Sequence, residues 1–198
     1  NSQLTKKLCS VVKLSGRKPL VILASSTQAN SDNLYGRSKR EAEKFVEELS
    51  LNCDIPSVIY RFPGVFGKWC RPNYNSVVAT FCHNIANNLS IIINDPLSNL
   101  KLVYIDDVVK AIINDINSIK NGLYWKEVRP EYSITLKQLA DQIQEFKNSR
   151  ISLFIDKVGS GISRALYATY MSYLSPDIFA YNLTQHIDKR GKFVEIIN

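Results

Sequence analysis

Cysteine is scarce in this 198-residue chain: Cys9, Cys53, Cys70 and Cys82 are widely spaced, and no two form a CxxC pair. That spacing argues against a disulfide framework or a zinc site and suits reduced thiols, so the cytoplasm is the expected compartment. Histidine is scarcer still. His83 and His186 are the only two, too far apart in sequence for a His cluster, and no metal site is expected. No apolar run approaches the roughly 20 residues needed to cross a bilayer, so no membrane role is expected. None of the eight glycines lies in a G-x-G-x-x-G pattern. Gly159-Ser160-Gly161 comes nearest, but Ile162-Ser163-Arg164 follows, which leaves it as a flexible lead-in to a helix. The chain starts at Asn1, and no basic lead with an apolar run precedes the first helical pattern. A signal peptide is therefore not expected, and the natural start is expected to lie upstream.

What is present is ordinary for a globular protein: 45% hydrophobic and 22% charged residues, enough for about one domain's core. The formal charge of +7 raises the question of nucleic acid. Yet the basic residues are spread along the chain and interleaved with acids, as in Lys39-Arg40-Glu41-Ala42-Glu43-Lys44. A solvated helix face accounts for them, and no nucleic-acid partner is expected.

Hydrophobic periodicity predicts an α/β chain. Leu8, Val11, Val12 and Leu14 recur at helical spacing before Ser15-Gly16. The continuous apolar run from Leu20 to Ala24 suits a parallel strand covered on both faces. Ala42, Phe45, Val46 and Leu49 place a helix over residues 35–50, and a strand over residues 57–62 ends at Pro63-Gly64. Strand, helix, strand is the βαβ grammar. Further along, the pattern predicts a helix from Val77 to Asn87, strands at 91–93 and 102–105, and a helix from Asp107 to Ile119. Another helix runs from Thr135 to Phe146, with Ser133 or Thr135 as its cap, and a last one covers residues 162–174. A boundary is placed near residue 176, and residues 192–197 alternate like a strand.

Tyr35-Gly36-Arg37-Ser38-Lys39 is a YxxxK motif. At i and i+4 on a helix, the phenol and the ammonium project from one face and can act together. An ammonium beside a phenol favours the phenolate, which makes the hydroxyl a usable proton donor and acceptor in carbonyl chemistry. Alone, such a motif is more often a surface pair. Here it follows a buried-type strand ending in Ser25-Ser26-Thr27, which can deliver a hydroxyl to the carboxyl edge of the sheet, where open α/β sheets bind ligands. Strand termination and turn hydrogen bonding are the alternative use of those serines.

The strand with Ser-Ser, the YGRSK run, Arg61-Phe62-Pro63-Gly64-Val65-Phe66-Gly67 and Val103-Tyr104-Ile105-Asp106-Asp107-Val108 occur in the order found in extended short-chain dehydrogenases/reductases, the NAD-dependent epimerase/dehydratase group. Four ordered motifs make the resemblance specific. More narrowly, residues 66–76 and Leu166-Tyr167-Ala168-Thr169-Tyr170-Met171-Ser172-Tyr173-Leu174 resemble the CapF-type capsular polysaccharide reductases of the UDP-N-acetyl-L-fucosamine pathway, over nearly the whole chain. That family joins a reductase domain to a carboxyl-terminal cupin, and residues 186–193 resemble the linker and first cupin strand.

The resemblance implies the carboxyl-terminal half of a Rossmann-like domain over residues 1–176 and the start of a cupin over 177–198. The glycine-rich cofactor loop would lie about a hundred residues upstream, and the chain would be an internal fragment that is inactive alone. The implied activity is reduction of the 4-keto group of a UDP-linked 2-acetamido-2,6-dideoxy-hexose by NADPH or NADH, after the cupin has epimerised C3. Tyr35 would protonate the sugar oxygen, Lys39 would hold the nicotinamide ribose and tune Tyr35, and Ser26 would hydrogen-bond the carbonyl, with Thr27 as its substitute and as a substrate contact. Ser25, Pro63, Gly64 and Val65 would line the cofactor, and Asn73 and Asn75 would approach the UDP-sugar; loop capping is the alternative for the two asparagines. One departure from the wider group is informative: its dehydratases carry an Asp-Glu pair after the catalytic hydroxyl, whereas Thr27-Gln28 follows Ser26 here, which disfavours dehydration. A homodimer is the oligomer the resemblance implies. Another extended reductase or nucleotide-sugar 4-epimerase, and a Rossmann-like module that only binds, remain the other readings.

Overall fold

A computed structural model describes residues 2–155, 157–180 and 183–194. Two units emerge, one made of Asn1–Val65 with Lys101–Tyr132 and the other of Phe66–Leu100 with Ser133–Asn198.

The first unit is built on a parallel three-stranded sheet of order β1-β2-β5, from Val21–Ser26, Ser57–Phe62 and Leu123–Lys126. Val21 pairs with Ser57 and Ser26 with Phe62, so the carboxyl ends of β1 and β2 lie side by side. Strand alternation decides what each residue of β2 faces. Val58, Tyr60 and Phe62 turn toward α4 (Ile105–Ser118) and form a core with Val103, Val108 and Val128, in which the rings of Tyr60 and Phe62 stack at 5.2 Å. Ile59 and Arg61 point the other way. Within the core, Asp115 accepts hydrogen bonds of 2.5 Å from the Tyr60 hydroxyl and from Lys126 Nζ, so its charge is matched by a donor on each oxygen. Burial, reinforced by Asp115, pushes the Tyr60 phenol far up.

Helix α1 (Ser2–Leu14) precedes β1, and α2 (Leu34–Cys53) connects it to β2. The second helix begins where the Asn33 side chain accepts a hydrogen bond from Gly36 N at 2.7 Å, and it ends where Asp54 turns into the left-handed region at φ 52°. Its apolar stripe buries Ala42, Val46 and Leu49. One expectation changes here. Val21, Ile22 and Leu23 are only half-buried, because β1 has a strand neighbour on one side alone among the described residues. The apolar stripe of α1 is also uncovered, with Leu8, Val11 and Leu14 exposed.

A further sheet has the order β3-β4-β6, from Gly64–Phe66, Asn99–Tyr104 and Glu131–Thr135. The strands β3, β5 and β6 were not legible as strands; they are short and carry little alternation.

The second unit buries α3 (Val77–Ala86), α5 (Leu136–Ser152) and α6 (Gly161–Met171) around Phe81, Ile85, Leu139, Ile143, Phe146, Leu166 and Tyr170. Phe146 meets Tyr167 edge-on at 5.2 Å and Tyr170 at 6.1 Å. The cap of α5 is Thr135, in a full capping box with Gln138. Replacing Thr135 by alanine should cost about 1 kcal/mol, read as a lower urea midpoint with an unchanged slope; an unaltered midpoint would show that α5 is held by packing alone.

Residues 91–93, expected as a strand, have no strand partner among the described residues. Ile92 is exposed between two half-buried isoleucines, so the alternation is that of an extended segment without a ladder. After the short helix α7 (Pro176–Phe179), β7 (Gln185–Asp188) and β8 (Gly191–Val194) form an antiparallel hairpin. Residues 195–197 of the expected last strand lie outside the described residues.

Candidate active site

Parallel pairing brings Ser25 and Ser26 to the carboxyl end of β1, and the chain then enters a 3₁₀ turn, Thr27–Asn30, capped by the Ser26 hydroxyl, which accepts from Gln28 N at 3.2 Å. Accepting that bond leaves the hydroxyl hydrogen free to be donated elsewhere. Thr27 is exposed at the start of the turn.

Tyr35 and Lys39 sit one turn apart near the start of α2. Tyr35 is 44% exposed. Lys39 Nζ stands 5.7 Å from the centroid of its ring and donates to the Ala24 carbonyl at 2.8 Å. The ammonium is thereby anchored on β1, two residues before Ser26, while it keeps two further donors. Hydroxyl, phenol and ammonium are thus gathered at one sheet edge, in the part of an open α/β sheet where ligands bind.

Gly36 makes this possible. A Cβ there would lie 2.2 Å from the Gln28 carbonyl oxygen and 2.5 Å from that of Ser31, so only glycine lets α2 approach the 3₁₀ turn so closely. Arg40 Nε ties the same turn to the helix through the Ala29 carbonyl at 2.7 Å.

Ser25 behaves differently from Ser26. Its side chain is buried and donates to Glu43 Oε1 at 2.5 Å, so any contact it makes with a ligand would be through its backbone. Glu43, 2% exposed, also receives Arg61 Nε at 2.9 Å and the Arg61 terminal nitrogen at 2.7 Å. The carboxylate's bidentate grip raises the Arg61 guanidinium above its ordinary value. Arg61 reaches Asn30 Oδ1 at 2.9 Å and lies 4.7 Å over the ring of Trp125. The solvated helix face expected at residues 39–44 is therefore corrected at Glu43: its charge points inward and has a buried partner. The sequence held a signal for this, since Glu43 lies four residues after Lys39 and beside the buried stripe of Ala42 and Val46.

Pro63, Gly64 and Val65 follow β2, with Gly64 and Val65 exposed. A Cβ on Gly64 would come within 2.9 Å of the Leu102 side chain, so this glycine serves the approach of two strands. Asn73 and Asn75 belong to the second unit, both exposed. Asn73 adopts a left-handed φ of 53°, and its N–H donates to the Thr80 hydroxyl at 2.9 Å. Among the described residues no three His, Cys, Asp or Glu side chains gather into a metal-binding group, and no helix is long and apolar enough to cross a membrane.

The profile of the NAD dependent epimerase/dehydratase family matches residues 1–124. The chain belongs to that family. Its α/β architecture with a parallel sheet is the Rossmann-like fold of this epimerase/dehydratase group. A UDP-2-acetamido-2,6-beta-L-arabino-hexul-4-ose reductase of Pseudomonas aeruginosa is 47% identical over 197 residues, which is 100% of this chain and 53% of that protein. The capsular polysaccharide assembling protein CapF from Staphylococcus aureus superposes with a TM-score of 0.89 at 39% identity, covering 98% of this chain and 54% of that one. A UDP-glucose 4-epimerase of Thermotoga maritima, at 17% identity and a TM-score of 0.69 over 85% of this chain and 67% of its own, shares the fold. This epimerase/dehydratase family member thus spans about half the length of the curated relative it matches.

Proposed function

We propose that this chain is the carboxyl-terminal half of the reductase domain of a longer protein, and that the whole reduces the 4-keto group of a UDP-linked 2-acetamido-2,6-dideoxy-hexose with NADPH in capsular or O-antigen polysaccharide synthesis. The observation that carries the reading is the anchoring of Lys39 on the Ala24 carbonyl beside Tyr35, at the end of the strand that bears Ser26. The 47% identity to a reductase of such a sugar supports the substrate class. On this reading residues 1–176 are the reductase part, and 177–198 are the linker and the start of a cupin, for which the hairpin of β7 and β8 is suitable structure. The whole works in the cytoplasm as a homodimer, and the exposed stripe Leu4, Leu8 and Val11 of α1 is surface that assembly would cover.

The residues present fit the nicotinamide end of the cofactor. Lys39 keeps donors that would serve the ribose hydroxyls, and the exposed Gly64 and Val65 would lie against the ring. When bound, the nicotinamide supplies hydride to the ketone carbon. Ser26 donates a hydrogen bond to the carbonyl oxygen and orients it. As that oxygen gains negative charge, Tyr35 transfers its proton to it and the product is the alcohol. Lys39, held by Ala24, steadies the phenolate left behind until solvent returns the proton.

The test is product analysis with the full protein, NADPH and the UDP-4-keto sugar. Stoichiometric NADPH oxidation with formation of the 4-hydroxy sugar is expected. No oxidation of NADPH by the 4-keto sugar, with conversion of a separately supplied UDP-4-hydroxy sugar into its C4 epimer, would replace the reading by a 4-epimerase.

A further inference from the structure

Glu43 is a buried charge that the reductase reading leaves without a part. Burying a carboxylate is unfavourable unless its oxygens are hydrogen-bonded, and a buried ion pair contributes little to stability compared with apolar packing. The same helix face uses Ala42, Val46 and Leu49 for packing. What a carboxylate adds is direction: the planar Arg61 fork meets both of its oxygens, and the Ser25 hydroxyl meets Oε1. Arg61 then extends the network to Asn30, the last residue of the turn that Ser26 caps, and to Trp125 on β5.

Consecutive residues of β1 are thus bound by consecutive turns of α2. Ala24 is held through its carbonyl by Lys39, and Ser25 through its hydroxyl by Glu43, four residues later. The next residue is Ser26. We propose that Glu43, with Arg61 and Ser25, is a positioning residue that fixes the Ser26 hydroxyl relative to Tyr35 and Lys39. The proposal rests on the reductase reading, in which those three groups surround the reacting carbonyl. A displacement of about 1 Å in such a group costs on the order of 100-fold in rate.

The experiment uses the full protein with NADPH and the UDP-4-keto sugar, and compares Ser25→Ala, Ser25→Thr, Glu43→Gln and Tyr35→Phe. Ser25→Ala and Glu43→Gln should lower kcat per folded site about 10- to 100-fold with KM for the sugar within about two-fold. Ser25→Thr, which restores the hydroxyl, should recover most of kcat. Hydrogen exchange over residues 26–30 should quicken in Ser25→Ala and Glu43→Gln but not in Ser25→Thr. Should Glu43→Gln fail to fold, Ser25→Ala, which removes a single oxygen, carries the test. An inactive Tyr35→Phe beside Ser25→Ala at the wild-type kcat would overturn the positioning role and leave the reductase reading standing. Loss that Ser25→Thr does not restore would overturn it as well. Full turnover by Tyr35→Phe would overturn the reductase reading and this proposal with it.

Discussion

Tyr35→Phe in the full protein should lower turnover about 10²- to 10⁴-fold while leaving sugar-nucleotide binding and thermal stability near wild type. The substitution removes one oxygen and nothing else. The ring of Tyr35 stays beside Lys39, and with 44% of the residue exposed its packing contributes little to the fold. Lys39 keeps its bond to Ala24, so the ammonium does not move. On the proposed mechanism, what disappears is the proton that neutralises the oxygen as the carbonyl carbon is reduced, an interaction that matters only in the transition state. Such a loss appears in kcat and in kcat/KM equally, with KM unmoved. Steady-state kinetics with a parallel UDP-sugar binding titration read both quantities. Turnover within a factor of two of wild type would remove Tyr35 from the chemistry and overturn the reductase reading with it.

Gly36→Ala should destabilise the protein by about 2–4 kcal/mol. Helix propensity alone argues for the opposite sign, since alanine is favoured over glycine by about 1 kcal/mol in a helix interior. Geometry decides. The added methyl would stand 2.2 Å from the Gln28 carbonyl oxygen and 2.5 Å from that of Ser31. Both are backbone atoms of a turn closed by the Ser31 to Gln28 hydrogen bond of 2.8 Å and tied to α2 by Arg40. Neither can retreat without breaking those bonds, so the start of the helix must lift away from the turn. The melting temperature should fall by roughly 5–15 °C, taking about 2–4 °C per kcal/mol for a chain of this size. Activity should fall further than the loss of folded protein explains, because the displaced surfaces carry Ser26 on one side and Tyr35 on the other. A variant that melts at or above the wild-type temperature would show that the turn yields, and Arg37→Ala, at the exposed next residue of α2, supplies the control.

Much of the fold was legible because its signals are local. Leu20 to Ala24 announced a parallel strand, the helical spacing of Ala42, Phe45, Val46 and Leu49 announced α2, and a cap at Ser133 or Thr135 announced the start of α5, where the structure uses Thr135. Illegible parts depended on partners distant in sequence. Ile91 to Ile93 has the composition of a strand but finds no ladder, whereas Leu123–Lys126, with little alternation, becomes one because β2 offers it an edge. The α1 stripe has helical periodicity, yet its Leu8, Val11 and Leu14 are left exposed.

The candidate site divides in the same way. Sequence alone determined that Tyr35 and Lys39 share a helix face, because four residues make about one helical turn, and that serine hydroxyls end the preceding strand. Tertiary structure decided the rest: that Lys39 reaches back to the Ala24 carbonyl, that Ser25 turns inward while Ser26 stays at the edge, that Glu43 is a buried partner of Arg61 rather than a solvated charge, and that Gly36 is where helix and turn touch. Spacing along one element reveals which side chains lie together on it. Which of them meets a strand 15 or 18 residues away is set by how the helix docks on the sheet, and that depends on every contact of the core at once.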